Sequence, residues 1–191
     1  MCEAGSASMA YFYFDKRDIN KQSCHKLLSS LLTQISYLSD PSFAILARLY
    51  RAHHDGAHQP SYKALTQCLK DMLSLPTHPP VYLIMDGLDE CPNEDSFPSV
   101  REQVLELIKE LIGHRFPNLH MCVTSRPEVD IRASLQPLAS HSVSLHDERG
   151  HKDDIAKYVR YVVYSKTIQA LRTDRDKELV VDRLSERADG M

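Results

Sequence analysis

Apolar and polar positions along this chain follow two alternating rhythms. Residues 10–14, Ala-Tyr-Phe-Tyr-Phe, form a short aromatic run that stops at Asp15-Lys16-Arg17-Asp18, which predicts a strand. From about Lys21 to Leu38 the apolar residues recur at three and four: Cys24, Leu27, Leu28, Leu31, Leu32, Ile35 and Leu38. That spacing predicts a helix with one continuous packing stripe. Asp40-Pro41 marks a second helix start, followed by Phe43, Ile45, Leu46, Leu49 and Tyr50. It dissolves in a polar loop from His53 to Pro60. Ser61 then caps a third helix whose apolar face is Tyr62, Leu65, Leu69, Met72 and Leu73.

Val81 to Met85 are five consecutive apolar residues without alternation, which predicts a strand buried on both faces. A long helix from about Pro98 carries Val100, Val104, Leu107, Ile108 and Leu111, with Gly113 at the position of a C-terminal cap. A third strand, Leu119 to Thr124, runs into Ser125-Arg126-Pro127. A short helix through Val129, Ile131 and Leu135 precedes a fourth strand at about His141 to Leu145. From Gly150 onward Ile155, Tyr158, Val159, Val162 and Val163 share one helical face, and Leu179, Val180 and Leu184 begin another. A boundary near residue 147 therefore separates an α/β part, 1–146, from the start of a helical domain, 147–191. Strands alternating with helices predict a parallel sheet flanked by helices.

Composition narrows the picture without changing it. The chain is 42% hydrophobic and 26% charged, as ordinary globular proteins are, and its net charge of -3 gives no argument for nucleic acid or anionic membrane. No apolar run approaches the ~20 residues of a membrane helix. The five cysteines are scattered and form no C-x-x-C pair, which fits a reducing, cytoplasmic compartment rather than a disulfide framework or zinc site.

The chemistry is concentrated where the second strand ends. Asp86, Asp89 and Glu90 lie within Asp-Gly-Leu-Asp-Glu, and carboxyl ends of parallel strands are where ligands bind. Bare acids so close repel one another, and a cation would relieve that cost. An acidic, solvated turn is the plainer alternative. The strand with Asp-Gly-Leu-Asp-Glu-Cys-Pro resembles the Walker B motif of NACHT-type signalling NTPases of the STAND class. Together with Thr124-Ser125-Arg126-Pro127-Glu128 it is similar to the NACHT domains of fungal STAND proteins and to nephrocystin-like N-terminal NTPases. The opening aromatic strand, Asp15-Lys16-Arg17-Asp18 and the Leu-rich helix resemble the same group, over about residues 10–160.

The resemblance implies an incomplete P-loop NTPase-type fold and a cofactor pair of Mg²⁺ with ATP or GTP. Asp86 would hold the metal, Asp89 would polarise the attacking water with Glu90 in support, and Arg126 would approach the γ-phosphate with Thr124 and Ser125 shaping its turn. It also implies partners in other protein domains or in self-oligomerisation.

One part of the pattern is missing. A phosphate-binding G-x-x-x-x-G-K-[ST] loop needs two glycines five apart before a lysine, and Gly5, Gly56, Gly87, Gly113, Gly150 and Gly190 offer no such pair. The chain thus reads as a truncated or decayed copy, a fragment of a nucleotide-dependent oligomerisation switch that lacks the means to bind or hydrolyse nucleotide alone. A non-enzymatic protein-interaction remnant is the alternative. A Mg²⁺-dependent nuclease or phosphotransferase would need further acids, for which Asp15 and Asp147 are the candidates. Metal binding by His53, His54, Asp55 and His58 is disfavoured because Gly56 breaks the helix that would align them. Cys91 beside the acids is a poor nucleophile, since carboxylates raise a thiol pKa.

Overall fold

The computed structural model describes residues 7–76, 79–93, 97–144, 149–165 and 173–187. It divides into two compact units, residues 1–139 and 140–191.

The first unit is an α/β layer. Three parallel strands, β1 (Ser8–Tyr13), β2 (Val81–Asp86) and β3 (Leu119–Val123), pair in the order β1-β2-β3. Helices α1 (Cys24–Ser36), α2 (Asp40–Ala52) and α3 (Tyr62–Leu73) connect β1 to β2. Helix α4 (Val100–Gly113) connects β2 to β3, and α5 (Val129–Leu135) follows β3. Serines set the helix starts. Ser23, Ser39, Ser61 and Ser99 each accept a backbone N–H three residues on, and Ser99 completes a capping box with Glu102.

Leucine stripes at helical spacing meet the inward half of each strand. Ala10, Phe12, Leu83 and Met85 pack with Leu27, Leu31 and Ile35 of α1, Leu69 and Met72 of α3, and Leu107, Ile108 and Leu111 of α4. All of these belong to one core. The strand expected to be buried on both faces is buried on one: Val81, Leu83 and Met85 are inside, Ile84 is half-buried and Tyr82 is 41% exposed. The register explains this. The rows Met9–Tyr82–His120 and Tyr11–Ile84–Cys122 line the face away from that core, where Met9, Tyr11 and Cys122 are also exposed. An apolar run without alternation fits either kind of strand when its outward residues are Tyr and Ile.

Two further expectations are corrected. His141–Ser144 are exposed and belong to no strand, so the sheet has three strands among the described residues, and Leu145 lies outside them. Alternation of Val143 with serines suits a strand, but a strand exists only by pairing. Gly113 does not cap its helix. The ladder continues past it to a bond from the His114 N–H to the Glu110 carbonyl, and the left-handed residue is Arg115, at φ 51°.

The outer edge of β1 is closed by a side chain. Gln34 of α1 accepts the Tyr11 N–H at 3.0 Å and donates to the Tyr11 carbonyl at 2.8 Å, imitating a neighbouring strand. Among the described residues the second unit is a pair of helices, α6 (Arg149–Tyr164) and α7 (Asp174–Arg187). Val163 and Val181 are buried, and Glu178 takes both Arg160 at 2.9 Å and the Tyr164 hydroxyl at 2.8 Å. No helix among the described residues is long and apolar enough to cross a membrane.

Candidate functional site

Parallel pairing in register brings the carboxyl ends of β1, β2 and β3 to one edge of the sheet. Main-chain bonds carry the alignment past the strands: Phe14 donates to the Asp86 carbonyl at 2.9 Å, Thr124 to that of Met85 at 2.9 Å, and Leu88 to that of Thr124 at 3.0 Å. The sequence Asp-Gly-Leu-Asp then turns sharply for local reasons. Gly87 is left-handed, at φ 68°, and a Cβ there would lie 3.3 Å from the Phe14 carbonyl oxygen. Leu88 is fully buried and pins the short 3-10 turn Leu88–Glu90 to the core.

Four of the six residues singled out by sequence meet at this edge. The Thr124 hydroxyl donates to Asp86 Oδ1 and accepts the Gly87 N–H at 3.1 Å. Asp89 Oδ1 accepts the Arg126 N–H at 3.0 Å, and its Oδ2 lies 3.5 Å from Arg126 Nε. The other two are engaged elsewhere. Glu90 turns to the loop after β1 and accepts the Lys16 N–H at 3.1 Å, while the Ser125 hydroxyl closes on the Arg126 carbonyl at 2.7 Å. The carboxylates are therefore not a bare, mutually repelling cluster, because each has its own donor. Asp15 joins the same edge but is spoken for as well: hydrogen bonds from the Arg17 side chain and backbone hold its carboxyl down to about 2.

Sequence reasoning missed the residue beneath the turn. Arg101, on the first turn of α4 and 8% exposed, donates to the Asp89 carbonyl at 2.6 Å and the Cys91 carbonyl at 3.2 Å, and pairs with Asp130 of α5 at 3.3 Å. Its position at the start of an amphipathic helix resembles an ordinary surface charge. Only a folded turn with inward carbonyls reveals a different use. Cys91 is disqualified as a nucleophile by another cause than neighbouring acids: burial pushes its thiol up to about 12, and the charge of Arg101 acts in the opposite sense.

The donor set also bears on the implied metal. Among the described residues no group of three His, Cys, Asp or Glu side chains could hold an ion by itself. Asp86 is exposed, and a single carboxylate beside a hydroxyl suits a Mg²⁺ that arrives with phosphate oxygens and water rather than a resident one. Arg126, 70% exposed, presents its guanidinium from the same edge. Asp86 and Thr124 thus fit the metal, and Arg126 fits a phosphate.

A family profile described as Nephrocystin 3, N-terminal matches residues 1–126. The chain belongs to this family. The match to the nephrocystin 3 N-terminal region spans β1 through β3 and ends at Arg126, so it includes Asp86, Asp89, Glu90, Arg101, Thr124, Ser125 and Arg126 but not Asp130. No curated protein and no solved structure matches the chain.

Proposed function

We propose that the first unit supplies the metal-facing and γ-phosphate-facing half of a nucleotide pocket in a NACHT-type signalling NTPase, whose nucleotide state governs assembly with other protein domains or copies. One observation carries this reading: Asp86 with Thr124, and Asp89 with Arg126, are bonded pairs on neighbouring strand ends. In phosphoryl transfer such an edge would hold Mg²⁺ through Asp86, orient water through Asp89 and set the Arg126 cation against developing charge. The bound Mg²⁺ would neutralise phosphate oxygens. Membership of the nephrocystin 3 N-terminal family is consistent with a NACHT-related fragment.

The affinity of such pockets comes mainly from backbone N–H groups and a lysine around the phosphates, and no loop of that spacing occurs in the sequence. A strand leading into such a loop would have a place beside β3. Met121 and Val123 direct backbone groups outward along that edge with no partner among the described residues.

Titration with a fluorescent ATP analogue, with and without Mg²⁺, tests the reading. Weak, Mg²⁺-dependent binding that does not saturate in the micromolar range, and that Asp86→Ala and Arg126→Ala each remove, is expected. Saturable micromolar binding, or binding indifferent to both substitutions, contradicts it. The bare sheet face of Met9, Tyr11, Tyr82 and Cys122 favours a second reading, a protein-interaction surface, because parallel sheets are ordinarily covered on both sides.

A further inference from the structure

We infer that Arg101 is the positioning residue of this edge: it locks the Leu88–Glu90 turn to α5 and so holds the Asp89 carboxylate against Arg126. The contacts form a closed circuit. Asp89 reaches Arg126 through its side chain. Arg126 opens the short link to α5, where the Glu128 N–H bonds back to the Arg126 carbonyl at 2.8 Å. Asp130, in the first turn of α5, pairs with Arg101, and Arg101 returns to the main chain of Asp89 at 2.6 Å.

Each part of the guanidinium has a separate task. Nε donates to the Cys91 carbonyl, Nη2 to the Asp89 carbonyl and Nη1 to the Asp130 carboxylate, so the rigid fork ties the middle of the turn and the residue after it to a second element. A lysine ammonium is a single point on a flexible stem and does not reproduce a fork that reaches three separate acceptors. The arrangement is also costly to misplace, because a buried guanidinium needs its full set of acceptors. The turn and α5 therefore move together or not at all. What this does for nucleotide handling rests on the function proposed above, whereas the positioning itself concerns the ligand-free protein.

The test is read in the ligand-free full chain, which keeps its outcome separate from that of nucleotide binding. Amide hydrogen exchange and the amide proton shift of Arg126 are followed by NMR in wild type, Arg101→Lys, Arg101→Met and Asp130→Asn. Leu107→Ala, a core change in the same helix, serves as the control for general destabilisation. Exchange at Arg126 is expected to accelerate at least ten-fold in the Arg101 variants and more mildly in Asp130→Asn, with an upfield amide shift and no rescue by lysine. The control should leave the Arg126 shift in place. If Arg101→Met does not fold, Arg101→Lys and Asp130→Asn carry the test. An unchanged Arg126 signal in the folded variants, or an equal change in Leu107→Ala, overturns the assignment.

Discussion

Asp89 holds Arg126 by two different handles: Oδ1 accepts its backbone N–H at 3.0 Å, and Oδ2 lies 3.5 Å from its Nε. The first fixes the course of the chain leaving β3. The second leaves an exposed guanidinium that a stronger anion can draw away.

Removing the two partners should therefore have unequal effects. Asp89→Ala strips the loop of its main-chain anchor and should cost about 1–3 kcal/mol in urea unfolding. Arg126→Ala keeps that anchor and loses only a weak, solvent-screened pair, worth about 0–1 kcal/mol. Equal losses would mean that the main-chain bond does not organise the loop.

Thr124 bridges two segments with one hydroxyl, donating to Asp86 and accepting from Gly87. Thr124→Val preserves shape and leaves both groups to water, so stability should fall by about 0.5–1.5 kcal/mol. Thr124→Ser should recover most of it. Denaturant melts of the three proteins decide the matter, and a harmless valine would count against the bridge.

Gly87 is the one glycine on which this edge depends. Its left-handed backbone, at φ 68°, costs a residue with Cβ about 1–2 kcal/mol, and the 3.3 Å approach to the Phe14 carbonyl leaves little room to relax. Gly87→Ala should lower stability by at least that amount, measured by thermal unfolding. It should also shift NMR signals at both Phe14 and Thr124, since their main-chain bonds share the turn.

Much of this was legible from residue patterns because local rules and the fold agree. Ser61 capping α3, the stripe from Cys24 to Ile35, and the three strands follow from spacing alone. The acidic turn and Arg126 were paired through the family resemblance, and the shared edge of parallel strand ends is why the two can meet. What spacing could not show was long-range and polar. Nothing in the sequence says that Gln34 closes the edge of β1, that Glu90 turns to Lys16, or that Arg101 faces inward. Those depend on which carbonyls a turn leaves unpaired. The fourth strand at His141–Leu145 failed for the converse reason, since alternation describes a strand's faces and says nothing about its neighbour.

Burial sets the behaviour of the thiols. It raises Cys24 and Cys91 from an ordinary 9.0 to about 12 and Cys68 to about 11. The unfolded chain releases these protons near pH 9.0, while the folded chain must keep them. Their contribution is thus intact below pH 9 and is lost as pH rises toward 11–12. Urea midpoints should fall steadily above pH 9, less so in Cys91→Ala, where one such group is gone. In native protein at pH 8 a thiol reagent should modify exposed Cys122 within minutes and leave Cys24, Cys68 and Cys91 until unfolding.

Under the proposed function Asp86, Thr124, Asp89 and Arg126 would face one phosphate-bearing metal complex. Paramagnetic broadening by millimolar Mn²⁺·ATP, followed by NMR on the full chain, tests it most directly. Broadening centred on residues 86–89 and 124–126, and lost in Asp86→Ala, is the expected result. Broadening centred elsewhere, or unaltered by that substitution, would contradict the account.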